Sequence, residues 1–119
     1  MKRARRGDVW YINGHGRTCG SEQHSNRPAV IVSNDRNNEN SGTVEIVYIT
    51  TQLKRGLPTH CTIRATGKRS TVLCEQIHTV AIERLERYIG KCTKKEMKKI
   101  EKCMIHSLQL DMEGGKRND

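Results

Sequence analysis

Two side chains in the sequence are suited in type and position to chemistry on a phosphate. Arg27 and Pro28 stand directly before an apolar run at 29–32, and Thr50 ends a longer apolar run. A guanidinium is always protonated and can bind two phosphate oxygens at once. If the two runs are adjacent strands, the Thr50 hydroxyl can lie beside Arg27. A guanidinium and a hydroxyl donor are the minimum equipment for stabilising a pentacoordinate phosphate, so these two residues are our catalytic candidates.

The chemistry open to such a pair does not require a metal. The sequence contains no nucleotide-binding glycine motif, carboxylate cluster or paired metal ligands, so metal-assisted nuclease chemistry lacks its parts and we expect no cofactor. RNA carries its own nucleophile, the 2′-hydroxyl, and a cationic clamp with an acid–base pair could cleave it. The alternative for Arg27 is a structural salt bridge to Asp35 or Glu22, and residue type alone favours that alternative.

The composition restricts the class of protein. The chain has 119 residues and a formal net charge of +9, and only 3% of its residues are aromatic. This length supports one domain, and the thin core makes us expect an oligomer. The basic charge predicts a polyanionic partner, most commonly nucleic acid, although a solvated basic surface would give the same charge.

The cysteines and the hydropathy pattern indicate a cytosolic chain with free thiols. Five cysteines are scattered along the sequence and none forms a C-x-x-C pair, which argues against a disulfide framework or a zinc knuckle. The charged residues 1–6 are not followed by the apolar segment of a signal peptide. No run approaches the roughly 18 apolar residues that a membrane span requires, so we expect no membrane association.

Hydrophobic periodicity predicts a β-rich chain that ends in a helix. We predict a single domain over 1–110, which begins with a mobile basic arm at 1–6 and is followed by a flexible tail at 111–119. Apolar and alternating runs predict five strands, at 9–12, 29–33, 43–50, 60–65 and 70–79. The Asn-rich segment 34–42 is predicted to be a polar turn. Ile82, Leu85 and Ile89 predict a short helix ended by Gly90.

The last element has the clearest helical signal. Thr93 and Glu96 form a capping box, in which each side chain satisfies a backbone N–H group of the helix start. An apolar stripe follows, formed by Met97, Ile100, Met104 and Leu108. Its lysine-rich opposite face is a solvated surface or, alternatively, a docking surface for an acidic partner. The fold class is therefore mainly β with α: a small β-barrel with a short helix and a C-terminal helix.

Seven pieces of the sequence, in unbroken order, resemble a known family. They are GDVWYI, GSEQ, RPAVIVSND, VYITTQ, LPTH, VLCEQIHT and the helix end Ile-His-Ser-Leu-Gln-Leu. Together they are similar to the PemK/MazF family of toxin endoribonucleases over about residues 6 to 110. A single piece such as RPAVIV has little specificity, but seven pieces at compatible spacing are strong support.

The resemblance implies a fold, an activity and partners. The family fold is an SH3-like barrel (PemK/MazF/CcdB-like), and its members are homodimers. They cleave single-stranded RNA at short sequences without a metal and leave a 2′,3′-cyclic phosphate and a 5′-hydroxyl. A cognate antitoxin inhibits them by placing a partly disordered acidic segment over the RNA groove. The catalytic arginine of the family falls on Arg27 and its catalytic threonine on Thr50.

The resemblance also implies residues that contact RNA. The positions that match are Ser21, Glu22, Gln23, Asn34, Thr51, Gln52, Pro58, Thr59, His60, Glu75 and Gln76. Carboxylates and amides in a basic groove supply directional donors and acceptors for base edges. The sequence departs from relatives in its glycine-rich loop at 13–19, and it has His78 where an arginine is frequent. The candidates for the general base are Glu22, His60 and the hydrogen-bonded network of Arg27, and the sequence does not choose between them.

Two other functions fit parts of the same pattern. One is a gyrase-poisoning toxin similar to CcdB, whose contact with gyrase needs a Trp-Gly-Ile tail. The printed sequence ends in GGKRND and its only tryptophan is Trp10, in the predicted first strand. The other is a non-catalytic RNA-binding module, which would bind RNA in a salt-dependent manner without cleaving it. The scarcity of aromatic residues for base stacking disfavours the second alternative.

Overall fold

The computed structural model describes residues 3–14, 26–52 and 56–111. Within these residues the chain forms six strands and two α-helices. In order they are β1 (Asp8–Ile12), β2 (Arg27–Ile31), α1 (Asp35–Asn40), β3 (Thr43–Thr50), β4 (His60–Ile63), β5 (Ser70–Ala81), a 3₁₀ turn (Ile82–Arg84), β6 (Leu85–Lys91) and α2 (Lys94–Leu108). The strands make one sheet in the order β4-β5-β3-β2-β1-β6, and every neighbouring pair is antiparallel. The predicted class, mainly β with α, is confirmed.

The two edges of the sheet approach each other at Gly90. An added Cβ at Gly90 in β6 would lie 2.4 Å from the carbonyl oxygen of Ala65, which follows β4. Such a distance excludes any side chain, because non-bonded carbon and oxygen atoms do not approach so closely. Gly90 therefore lets the sheet curl until its two edge strands nearly meet, as a barrel requires.

The central strands carry apolar residues on both faces because both faces are covered. Val9, Val30 and Val47 point into a core that includes Ile100 of α2, whereas alternate residues of the same strands belong to a second core. The second core contains Trp10, Ile12, Ala29, Ile31, Val44, Ile46, Val80 and Leu85. Burial on two sides explains the continuous apolar runs of β1 and β2 in the sequence.

The C-terminal helix forms as its capping box predicts. The Thr93 hydroxyl accepts a hydrogen bond from the N–H of Glu96 at 3.0 Å, and the N–H of Thr93 donates to the Glu96 carboxylate at 2.9 Å. Ile100 and Cys103 are buried against the sheet. The prediction that Leu108 packs in the core with the rest of the apolar stripe is wrong, because Leu108 ends α2 and is 49% exposed.

Three thiols meet under α2. The thiol of Cys61 in β4 interacts with those of Cys74 in β5 and Cys103 in α2. Hydrogen bonding from Cys74, reinforced by Cys103, lowers the pKa of Cys61 to about 7 despite partial burial. Burial raises the pKa of Cys103 to about 11. All four cysteines in the described part of the chain are free thiols, as predicted.

Two predicted elements differ from those in the structure. Residues 34–42, predicted to be a turn, contain the six-residue helix α1, whose start is capped by the Asn34 side chain. The helix predicted from Ile82, Leu85 and Ile89 is wrong: a 3₁₀ turn is followed by β6, which pairs with β1. Two register shifts in that pairing disturb the alternation of β6, so its apolar residues recur at spacings that resemble a helix.

Residues 3–6 of the predicted mobile arm pack against the domain. Ala4 is 7% exposed and belongs to the second core. The backbone N–H of Arg6 donates to the carboxylate of Asp35 at 2.7 Å, and this hydrogen bond lowers the pKa of Asp35. The guanidinium of Arg6 forms an ion pair with Glu101 at 2.8 Å. In the described residues, neither helix has the length and apolar character needed to cross a membrane.

Candidate nucleic-acid site

Arg27 is the first residue of β2, and the neighbouring strands hold its side chain. Its guanidinium carbon lies 4.2 Å from the centroid of the Tyr48 ring in β3. One of its Nη atoms donates a hydrogen bond to the amide oxygen of Gln76 in β5 at 3.4 Å. The His78 ring also packs against Tyr48 in an edge-to-face arrangement, with ring centroids 4.9 Å apart. A stack on an aromatic face attracts the cation and restricts its rotamers.

The alternative of a structural salt bridge to Asp35 is not what the structure shows. Asp35 accepts hydrogen bonds from the backbone of Arg6 and from Asn38 instead. Among the described residues, no carboxylate pairs with Arg27. Its other proposed partner, Glu22, lies outside the described residues. No described residue therefore neutralises the charge of Arg27, which leaves it available to an anionic ligand.

Thr50 lies beside Arg27 across two paired strands. The recorded register ends with Ala29 of β2 opposite Tyr48 of β3, and its continuation by two residues brings Arg27 and Thr50 to the same end of the two strands. The Oγ1 atom of Thr50 accepts a hydrogen bond from the N–H of Gln52 at 3.1 Å. This bond occupies one lone pair of the hydroxyl and leaves its O–H group able to donate.

Arg27 and Thr50 line the same cavity at one end of the sheet. The cavity has a volume of about 420 Å³ and also includes Thr51 in its wall. The other described residues that line it are Tyr11, Asn26, Pro28, Ile49, Thr66, Lys68, Arg87 and Ile89. Of the eleven described residues that line the cavity, Arg27, Lys68 and Arg87 are cationic, and none is an aspartate or a glutamate. The cavity is therefore suited to an anion.

Glu75, Thr59 and His60 form a second polar group. The two carboxylate oxygens of Glu75 contact Thr59 Oγ1 at 3.0 Å and His60 Nε2 at 3.1 Å. Partial desolvation acts to raise the pKa of Glu75, but the hydrogen bonds from His60, its own backbone and Thr59 outweigh it and lower that pKa. The His60 side chain is only 8% exposed, and its Nδ1 atom has no partner among the described residues.

The other predicted RNA-contact residues are spread around these two groups. Gln76 is next to Glu75 in β5, and its side chain accepts a hydrogen bond from Arg27, so it belongs to the Arg27 group. The Asn34 amide oxygen caps α1 by accepting from the N–H of Asn37 at 2.8 Å, which leaves its NH₂ group and its second lone pair for a ligand. Gln52 and Pro58 are exposed. The predicted contacts Ser21, Glu22 and Gln23 lie outside the described residues.

Sequence reasoning gave no role in the site to two residues that line this cavity, Lys68 and Arg87, and none to Tyr48, which contacts Arg27. Tyr48 was not singled out, although it lies two residues before Thr50 and therefore on the same face of β3. Arg87 was placed in a predicted helix, and Lys68 lay between two predicted strands without a role. For Tyr48 the alternation of β3 was an available signal. For Arg87 no local signal existed, because its position depends on the pairing of β6 with β1.

The fold and the site together define a small, cationic, barrel-like domain with an arginine and a threonine in the wall of one cavity that also carries Lys68 and Arg87. Comparison with known proteins gives the family. The profile of the PemK-like, MazF-like toxins of type II toxin–antitoxin systems matches residues 5–108. The chain therefore belongs to the family of PemK-like and MazF-like toxins.

Individual relatives cover nearly the whole chain. Endoribonuclease MazF9 of Mycobacterium tuberculosis is 33% identical, over 91% of this chain and 97% of the relative. Endoribonuclease MazF of Staphylococcus saprophyticus is 37% identical, over 89% of this chain and 92% of the relative.

Solved structures share the fold. A mycobacterial endoribonuclease in complex with its cognate antitoxin superimposes with a TM-score of 0.77 at 26% identity, covering 91% of this chain and 97% of that one. MazF in a MazE–MazF complex of Deinococcus radiodurans gives 0.78 at 19% identity, over 93% of this chain and all of that one. The predicted resemblance to this family is confirmed.

Proposed function

We propose that this protein is an endoribonuclease toxin that cleaves single-stranded RNA at specific sequences without a metal. The products are a 2′,3′-cyclic phosphate and a 5′-hydroxyl. The curated relatives are named as endoribonucleases, which supports the activity. The single observation that carries the proposal is that Arg27 and Thr50 line one cavity without a carboxylate among its described residues.

The arrangement supports specific roles in the cleavage step. The 2′-oxygen of the RNA attacks the adjacent phosphorus, the bond from phosphorus to the 5′-oxygen breaks, and that oxygen takes up a proton. Arg27 stabilises the negative charge that develops on the non-bridging oxygens. Thr50 donates its O–H to one of the same oxygens. Tyr48 and Gln76 hold the Arg27 guanidinium in place before substrate binds.

The base that accepts the 2′-hydroxyl proton is a separate question. His60 is a poorer candidate than the sequence indicated, because its Nε2 contacts Glu75 and it does not line the cavity. Glu22 and the network around Arg27 remain as candidates. Hydrogen bonds hold the side chains of Glu75 in β5, of His60 at the start of β4 and of Thr59 directly before it, and this set of donors and acceptors supports a role in reading RNA bases.

Partners and location extend the same proposal. The protein acts in the cytoplasm as a homodimer and is neutralised by a cognate antitoxin. A relative solved with its cognate antitoxin supports the last point. Half-exposed apolar side chains at Leu57, Tyr88, Leu108 and Leu110 support a second copy that covers some of them. Light scattering of the purified protein tests the dimer.

One experiment tests the cleavage proposal as a whole. The purified protein is incubated with a long RNA in EDTA, and both new ends are mapped and identified chemically. We expect cleavage at a short recurring sequence, and we expect Arg27→Ala to lose at least about 10²–10³ in rate while keeping its fold. Arg36→Gln, which removes an exposed arginine outside the cavity, is the charge-matched control. If the protein binds the RNA but yields no cleaved product, the alternative of a non-catalytic RNA-binding module would be favoured over the enzyme.

A further inference from the structure

Arg87 is held over a tyrosine in the same way as Arg27. It lies in β6 directly opposite Tyr11 of β1, and its guanidinium carbon is 4.4 Å from the centroid of the Tyr11 ring. The side chain is exposed and forms no ion pair with any described residue. A guanidinium stacked by its face keeps its N–H groups at the rim, where they can bind a planar or tetrahedral anion.

The two stacked arginines belong to one cavity. Arg27 and Arg87 both line it, although they lie on different strands with β1 between them in the sheet. Arg27 is stacked on Tyr48 at 4.2 Å, and Arg87 on Tyr11 at 4.4 Å. In the proposed reaction, Arg27 and Thr50 both contact the one scissile phosphate. The second cation is therefore available to a different anionic group of the same ligand.

Lys68 adds a third positive charge to the cavity wall. It lies in the turn between β4 and β5, where Thr66 Oγ1 donates to the Lys68 carbonyl at 2.9 Å and accepts from the Lys68 N–H at 3.3 Å. These bonds fix the backbone from which the lysine extends. The carboxylate nearest in sequence to Arg87, that of Glu86, contacts the Asn26 side chain.

We propose that Arg87 and Lys68 form a subsite that binds a second phosphate of the RNA backbone, different from the scissile phosphate. The ligand is a phosphodiester of the same single strand that is cleaved at Arg27 and Thr50, so the subsite rests on the proposed function. Its contribution is to affinity and register. Lys68 and Arg87 position the strand and take no part in bond breaking.

The subsite is tested by the salt dependence of RNA binding. The probe is a fluorescent single-stranded RNA with 2′-O-methyl sugars, which cannot be cleaved by attack of the 2′-oxygen. Each lost phosphate contact lowers the slope of log affinity against log salt by about 0.7 for single strands. We expect this decrease for Arg87→Gln and for Lys68→Gln, with affinity about tenfold weaker at low salt. Lys102→Gln, on the exposed face of α2, is the control and keeps the wild-type slope.

Two further readouts distinguish a phosphate contact from a purely structural role of Arg87. Arg87→Lys keeps the positive charge and retains the wild-type slope, whereas a structural role would lower the melting temperature of both Arg87 variants. On cleavable RNA we expect a higher KM for Arg87→Gln with little change in kcat. The inference is overturned if both glutamine variants show the slope of Lys102→Gln. Because the probe is uncleavable, the salt slopes measure binding without cleavage, so a failure of the subsite can be told apart from a failure of the proposed function in the EDTA assay.

Discussion

The guanidinium of Arg27 lies 4.2 Å from the ring centroid of Tyr48, on the neighbouring strand. This contact, with the hydrogen bond to Gln76, places a permanent cation at the cavity before any ligand binds. Preorganised charge is more effective than a mobile side chain, because its orientation need not be established during the reaction. Tyr48 is thus a positioning residue, which acts on the phosphate through Arg27.

The first prediction concerns the Tyr48 ring. Tyr48→Leu removes the aromatic face, and we expect kcat to fall about 2- to 30-fold, the effect of losing a cation–π contact of about 0.5–2 kcal/mol. Tyr48→Phe keeps the face and retains nearly full kcat. Single-turnover cleavage of a defined RNA measures both variants. Equal losses in kcat for the two would mean that the hydroxyl, and not the ring, is required.

The second prediction concerns the Thr50 hydroxyl. Its Oγ1 accepts from the Gln52 N–H through one lone pair, which leaves the O–H group able to donate, and the proposed partner is a phosphate oxygen. Thr50→Val keeps the β-branched shape and loses the donor, and we expect about a 10²–10³-fold lower rate. Thr50→Ser restores the donor and most of the activity. If Thr50→Val cleaves RNA at the wild-type rate, the Thr50 hydroxyl has no role in the mechanism.

Local sequence signals predicted part of this architecture correctly. The bounds of β3 were predicted without error, because apolar residues fill the strand and an Asn-rich segment precedes it. The start of α2 was predicted from reciprocal capping by Thr93 and Glu96, which is a contact between residues close in sequence. Both features depend on interactions within a few residues, and such interactions can be inferred from the sequence alone.

The remaining features depend on contacts between distant residues. The spacing of Ile82, Leu85 and Ile89 fits a helix, and only the pairing with β1 turns this segment into a strand. The Arg87–Tyr11 stack follows from that pairing, so it could not be predicted before the strand order was known. Helix α1 depends on one capping hydrogen bond in an Asn-rich segment, where turn and helix have similar sequence signals.

The third prediction concerns the reactivity of the thiols under α2. Hydrogen bonding from Cys74 lowers the pKa of Cys61 to about 7, so its thiolate is the minor form below that pH and the major form above it. We expect alkylation of Cys61 by iodoacetamide to rise with a midpoint near pH 7, followed by mass spectrometry in a Cys19→Ser background. Burial raises the pKa of Cys103 to about 11 and that of Cys92 to about 12, so neither reacts in this range.

The donor thiol provides the control for this midpoint. Cys74→Ala removes the thiol that does most to lower the pKa of Cys61, and the midpoint should move up toward the ordinary cysteine value of 9.0. Circular dichroism checks that the variant is folded. A midpoint that stays the same in Cys74→Ala would show that the thiol cluster does not stabilise the Cys61 thiolate.

The last prediction concerns the close approach that lets the sheet curl. A Cβ at Gly90 would lie 2.4 Å from the Ala65 carbonyl oxygen, a backbone atom that cannot rotate away. Gly90→Ala must therefore push β6 away from the end of β4, and we expect the free energy of unfolding to fall by about 1–3 kcal/mol in urea denaturation. Gly56→Ala is the matched control, because no atom lies within 4 Å of its added Cβ, and it should be neutral. Equal stability of the two variants would show that the edges of the sheet are not held together at this point.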